Sequence, residues 1–286
     1  MGFFDSLGKG WSFIKAAFGM ARDNRKLLAP SVYLILLSIL YFLGWVAALV
    51  MIEPHWSKAT WGAVSGIATF GSFQIFYFFC GVTVNMIDVH LKGGVPSVKE
   101  GVKDAGKNFV AIMFLSLVST VIEMFASAAR DGDSIVGKII AGIIEAIWTV
   151  LAFLLLPAII IEDASLGDAM RRVRALHKGH MLLIGIGEVG VRLVTNLIGF
   201  VWWCLIFGVV YFSFTTFSTQ TALILSFGIG GTMFALFAAF SVYIRMAYYT
   251  CLYLWAVDVE AKGQSAPAPL PLAIALGQRT SDRRAA

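Results

Sequence analysis

A chain of 286 residues that is 59% hydrophobic, only 14% charged and has a mean hydropathy of +0.82 lies outside soluble composition, in which charged residues make up about 25%. That balance excludes a soluble globular domain and predicts an all-α integral membrane bundle. The net charge of +5 does not argue for nucleic acid, because Lys and Arg gather in the cytoplasmic loops of membrane proteins for topological reasons.

In residues 1–29 the apolar positions Phe3, Phe4, Leu7, Trp11, Ile14 and Phe18 step by three and four, with Lys9, Lys15 and Arg22 elsewhere around the wheel. This pattern predicts an amphipathic interfacial helix. The same residues give no unbroken apolar core followed by a cleavage site, so no cleavable signal peptide is expected. Met1-Gly2 with Ser6 fits the short myristoylation pattern, which means something only where the transferase exists.

Six apolar spans follow, at about 30–52, 60–87, 109–129, 135–161, 181–212 and 221–257, forming a transmembrane domain over 30–260. Each has at least the roughly 20 residues needed to cross the hydrocarbon. The last two exceed that length, which predicts tilt, a kink near Gly199, or a helix continuing into water. Beyond them, 261–286 reads as a Pro-containing tail, extended unless a neighbour holds it, with 270–276 apolar enough to dock.

Seventeen Lys and Arg fall before the first span, in the 88–108 and 162–180 loops and in the tail, against three (Lys58, Arg130 and Lys138) in or beside the loops on the opposite side. The positive-inside rule then predicts a multi-pass inner (cytoplasmic) membrane protein with both termini and both basic loops in the cytoplasm.

The 162–180 loop carries the clearest local signal. Ser165 and Asp168 fit a capping box, Ala169, Met170, Val173 and Leu176 form an apolar stripe, and Gly179 is placed to end the helix. Arg171, Arg172, Arg174 and Lys178 occupy the remaining arc and are candidates for anionic lipid headgroups at the cytoplasmic face. Residues 96–113 repeat the scheme, with Ser97 and Glu100 as a second capping box and Lys107 matching Lys178. The amphipathic start could be a third copy. The sequence therefore reads either as three helix-plus-hairpin units (1–90, 91–163, 164–260) or as ordinary basic loops entering a membrane.

Five ionisable residues inside the spans stand out: Glu123, Glu145, Glu188, Arg192 and Arg245. Such groups cost about 2.5–3.5 kcal/mol each at the bilayer centre on insertion scales, so they face protein or water. Glu188 and Arg192, four apart on one helical face, read mainly as a register-fixing pair. Glu123 and Glu145 share a depth and have no obvious cationic partner, although Arg130 or Lys138 could snorkel toward them. These charges, with Gln74, Asn85, Asn196 and Asp88 nearby, suggest a polar seam with an anionic outer half and a cationic inner half formed by Arg192 and Arg245.

Several motifs are set aside. Gly185, Gly187 and Gly190 match G-x-G-x-x-G, but inside a span, without the strand-to-helix turn that brings backbone amides to a pyrophosphate. His177 and His180 share a loop with Glu162 and Asp163, more in the manner of interfacial residues than of a supported metal site. Cys80, Cys204 and Cys251 lie in apolar runs without C-x-x-C spacing. No nucleophile–base arrangement is present, so no enzyme activity, cofactor or metal is expected.

The amphipathic start, the Asn24-Arg25-Lys26-Leu27-Leu28-Ala29-Pro30 approach to the first span, and the 157–163 segment ahead of the basic helix resemble a family of uncharacterised bacterial polytopic membrane proteins. They distantly resemble the membrane domain attached to some glycerophosphodiester phosphodiesterases. The resemblance implies a six-helix inner-membrane fold and brings no substrate or catalytic residue. Two functions are expected from the sequence: passage of an ion or small solute through the seam, or a membrane scaffold that forms homo-oligomers and binds anionic lipid or a cytosolic partner.

Overall fold

The computed structural model describes residues 3–52, 57–132, 134–177, 181–263 and 266–278; within these, the side chains of 3–6, 52, 58, 177, 181–190, 192 and 193 are outside the description. All regular structure among the described residues is helical. In chain order it consists of α1 (Phe3–Asp23), a 3-10 turn (Arg25–Leu28), α2 (Ala29–Ile52), α3 (Lys58–Leu91), α4 (Val98–Lys107), α5 (Phe109–Asp131) and α6 (Ile135–Ile161). There follow α7 (Leu166–His177), α8 (Met181–Thr216), α9 (Thr219–Leu225), a π-helical segment (Ser226–Gly230), α10 (Gly231–Lys262) and α11 (Leu270–Leu276). Six helices among the described residues are long and apolar enough to cross a membrane, so the chain is an all-α multi-pass membrane protein.

An amphipathic helix precedes a pair of long apolar helices three times: α1 before α2 and α3, α4 before α5 and α6, α7 before α8 and α10. Packing follows another division. Residues Met1–Val32 with Leu176–Ala286 form one compact unit, and Tyr33–Ala175 form the other.

In the first unit α1 packs on α8, α10 and α11. Phe13, Ile14, Ala17, Met20 and Ala21 are buried. Phe13 meets Tyr248 edge-on at 5.4 Å, and the Tyr243 hydroxyl donates to the Ala17 carbonyl at 3.0 Å. Of the face that sequence assigns to the interface, Ile14 is buried, whereas Trp11 and Phe18 are exposed; the side turned to protein is that of Phe13, Ala17, Met20 and Ala21. The tail is held too: Pro271, Leu272, Ala273 and Ala275 of α11 are buried, the Trp255 indole donates to the Ala266 carbonyl, and Gly277 closes the helix with φ of +67°. α8 runs unbroken through Gly199, where the missing side chain admits the Phe237 ring. The irregularity falls in the last span instead, at the glycine-rich π segment before Gly231.

In the second unit α3 packs on both members of the α5–α6 hairpin, and α4 lies across the end of α3. Gly101 permits that crossing, since a β-carbon there would lie 2.9 Å from a Val82 methyl and 3.2 Å from the Val82 carbonyl. The core sits toward the end bearing α4 and α7. Residues 152–160 of α6 are continuously buried, whereas most of 135–147 is exposed. α2 is largely exposed along its apolar length; its link to α3 includes Tyr41, whose hydroxyl donates to the Ala68 carbonyl at 3.1 Å.

Candidate functional site

α3 carries polar residues on one face. Gln74, Tyr77, Asn85 and Asp88, with Gly81 between them, recur at spacings of three and four, which superimposes them along a helix. α5 answers with Ser116, Ser119, Thr120 and Glu123, and α6 with Glu145 and Trp148. Together they form a polar seam through the second unit.

At the end of the seam near the α5–α6 turn, Arg130 joins the two acids that sequence left unpartnered. Its Nη2 lies 2.6 Å from Glu123 Oε1 and its Nη1 lies 2.5 Å from Glu145 Oε2. Arg130 follows Glu123 by two helical turns on α5, so its side chain reaches back along the same face, as snorkelling predicts. The three side chains are 42%, 33% and 37% exposed for Arg130, Glu123 and Glu145, and two carboxylates on one guanidinium leave one net negative charge.

Deeper in, Ser119 organises the middle. Its hydroxyl donates to the Leu115 carbonyl at 2.9 Å, and the Trp148 indole donates to its oxygen at 2.8 Å. Since that one proton is committed, the Tyr77 hydroxyl, 2.9 Å away, is the donor to Ser119. One turn along α3, both amide atoms of Gln74 are buried with no hydrogen-bond partner among the described residues. An apolar collar follows: a β-carbon at Gly81 would lie 3.0 Å from Ile160 Cδ1 and 3.7 Å from Ile112 Cδ1.

Beyond the collar lies a second polar cluster. Asn85 donates to Asp104 Oδ2 at 2.8 Å, and Lys107 donates to Asp104 Oδ1 at 2.8 Å. Asn108 donates to Asp163 Oδ1 at 2.7 Å. Asp163 follows α6 with φ of +49°, the left-handed conformation that Asp tolerates better than most residues. The hydrogen bond to Asp104, then the charges of Asp104 and Asp163, raise the Lys107 ammonium above its ordinary range. Asp88 Oδ2 accepts from Lys92 at 2.7 Å, while its Oδ1 is buried without a hydrogen-bond partner among the described residues.

The start of α7 borders a hollow of about 490 Å³ lined by Glu162, Asp163, Ala164, Ser165, Asp168, Arg171 and Arg172. The capping box is formed: Ser165 Oγ accepts from the Asp168 amide at 3.2 Å and donates to its carboxylate at 2.5 Å. The serine hydrogen bond and then Arg171 hold the Asp168 carboxyl below the usual carboxylate range. Ala169, Val173 and Leu176 of the expected stripe are buried, whereas Met170 is exposed. Ser97 differs from the second expected box. It stands at the N-cap of α4 without a side-chain cap bond, and the helix start there is closed by the Gly101 amide on the Ser97 carbonyl.

Arg171 pairs with Asp168, and Arg172 Nε lies 3.0 Å from Glu162 Oε1, so part of the basic arc is neutralised locally; Arg174 is exposed. Lys178, Gly179 and His180, and the side chains of His177, Glu188 and Arg192, lie outside the described residues. Gly185, Gly187 and Gly190 lie within helix α8, with helical residues 181–184 ahead of them. Arg245, on α10, is exposed and belongs to the first unit, as does Arg192 of α8, whereas Glu123 and Glu145 belong to the second.

The Tyr77–Ser119–Trp148 network was not singled out from the sequence, although the three-and-four spacing of polar residues within apolar spans was a readable signal.

Residues 63–263 match a family of unknown function, DUF6159. No curated protein matches the chain. The matched region takes in α4, α5, α6 and most of α3 and so contains the whole seam; the chain belongs to DUF6159, a family of unknown function.

Proposed function

We propose that this is a non-enzymatic multi-pass protein of the inner membrane, with both termini and the basic loops cytoplasmic, that passes a small cation along the seam of its second unit. The observation that carries the reading is the Glu123–Arg130–Glu145 triad. The two acids lie about 12 and 15 Å from the ends of their helices at about 1.5 Å per residue, and one guanidinium serves both. Charge at such depth is expensive and marks ion pathways more often than decoration. A net negative mouth attracts cations and repels anions. The second cluster carries paired charge, Asp88 with Lys92 and Asp104 with Lys107. The Gly81–Ile112–Ile160 collar between them is the barrier that such a path needs when closed.

The test is cation flux in proteoliposomes. Glu123→Gln with Glu145→Gln is expected to lower flux at least tenfold, and undiminished flux would remove the reading.

A scaffold role is the second reading. It is favoured by the solvent-facing arc of α7, where Arg171 is 81% exposed, and which suits anionic headgroups, sister copies or a cytosolic partner. Lipid binding lost on neutralising Arg171, Arg172 and Arg174, with flux absent, would support it. The likeness to the membrane domain of glycerophosphodiester phosphodiesterases stands as a proposal about shared membrane architecture and carries no reaction.

A further inference from the structure

We infer that one stripe of α1, continued through the turn into α2, docks on the anionic phospholipid headgroups of the leaflet from which the first span starts. Gly8, Trp11, Lys15, Phe18 and Arg22 are exposed and recur at alternating spacings of three and four, which places them on one narrow arc of the helix. Trp11 is 46% and Phe18 53% exposed. The opposite side is turned to protein through Phe13, Ala17, Met20 and Ala21. Rings and cations therefore alternate along the face that α1 leaves open. Water would strand the two rings, and hydrocarbon would strand Lys15 and Arg22. The headgroup layer suits both, because aromatic rings settle at the acyl boundary while long basic side chains reach the phosphates. Lys15 already lies over the Trp11 ring, its ammonium 5.3 Å from the centroid, and an ammonium so placed keeps donors for a phosphate.

Position and charge say which surface is met. Arg25 and Lys26, both exposed, sit in the 3-10 turn between α1 and α2, and the first span begins at Arg25. The basic end of the stripe is thus held where that span enters lipid. α1 also runs beside the half of α10 that leads on to Asp258, Glu260 and Lys262, with Phe18 edge-on to Phe240 at 6.0 Å and Phe13 edge-on to Tyr248. Residues 7–28 hold five basic residues against one acid, Asp23. Lys15, Arg22, Arg25 and Lys26 make no ion pair with a described residue, unlike Arg171 and Arg172 of α7, which are paired with Asp168 and Glu162. Cations left unneutralised immediately before a span complement the phosphates of anionic lipid. This surface is separate from α7, and it does not depend on the cation reading.

Gly19 offers the position for a probe. It lies four residues after Lys15 and three before Arg22, and a β-carbon there would meet no atom within 4 Å. A photoreactive benzophenone side chain is placed at position 19 of the full chain, which is reconstituted in bilayers of equal parts phosphatidylglycerol and phosphatidylcholine, and the lipid adducts are identified by mass spectrometry. Phosphatidylglycerol adducts are expected in about threefold excess or more. Raised salt brings the ratio toward one, a measurement that needs no further variant. Lys15→Gln, Arg22→Gln, Arg25→Gln and Lys26→Gln together, all at exposed positions, do the same, whereas Arg171→Gln, Arg172→Gln and Arg174→Gln together leave the excess in place. Equal adducts at low salt, an excess that survives salt or the quadruple substitution, or an excess lost with the α7 substitutions overturns the docking surface. A crosslink to protein or nucleic acid in place of lipid, in native membranes, overturns it as well.

Discussion

The collar gives the sharpest test of the seam as a path. Ile160 is 2% exposed and Ile112 fully buried, and the δ-carbons of both lie within 4 Å of where a β-carbon of Gly81 would stand. Ile160→Ala removes the methyl groups that close on Gly81, and in a packed interior such a truncation costs about 2–5 kcal/mol, while Ile160→Val costs about 0.5–1.5 kcal/mol. If the collar is the barrier, the two variants form a series in which stability falls and cation leak rises together, because the space that destabilises the core is the space that joins the two polar halves. Stability is read by thermal unfolding in nanodiscs, and leak by dye-reported flux in sealed liposomes. A drop of the expected size for Ile160→Ala with no rise in leak would refute the collar as a gate, since the cavity would exist and conduct nothing.

Two further outcomes follow from local geometry. At Gly71 a β-carbon would overlap the Tyr41 hydroxyl, so Gly71→Ala displaces the ring as well as its bond to Ala68. Tyr41→Phe loses only that bond, worth about 0.5–1.5 kcal/mol. Gly71→Ala is therefore expected to be the more damaging in thermal unfolding, and equal or reversed effects would show that Tyr41 does not tie α2 to α3. Asp168 has a folded-state pKa below its unfolded value, so its contribution to the start of α7 is fully present above about pH 4 and is lost as pH falls through the lowered folded value. Amide protection at the first turn of α7, corrected for intrinsic exchange, should be flat above that point and fall below it. Asp168→Asn should abolish the fall, and a persisting fall would assign it to another group.

Much of the architecture is legible in the sequence because one variable, hydropathy, decides where a chain enters lipid. The six long helices arise from that variable, and Ser165 with Asp168 marks the start of α7 because a cap is a local contact. The covering of α1 is not local. Trp11, Ile14 and Phe18 announce an apolar face, but that Phe13 and Ala17 turn inward against the Tyr243–Tyr248 stretch of α10 depends on residues more than 200 positions away. The seam is legible only in part for the same reason. The depth of Glu123 and Glu145 follows from counting, and Arg130 was within reach by snorkelling, yet Ser119 looks like any hydroxyl in an apolar helix until Tyr77 and Trp148 converge on it from two other helices.

Why an arginine should hold the triad follows from what a shared acid pair requires. Two carboxylates drawn to one point repel by an amount of order 4 kcal/mol at 4 Å and an effective dielectric of about 20. A lysine ammonium is a point charge, whereas a guanidinium offers separate nitrogens in a fixed plane; Arg130 uses Nη1 for Glu145 on α6 and Nη2 for Glu123 on α5. It thereby pins the hairpin at span depth. A second cation from the chain would complete the neutralisation and leave nothing for an incoming ion to do. A single arginine serves two carboxylates and stops one formal charge short, and that deficit is what the proposed cation path rests on.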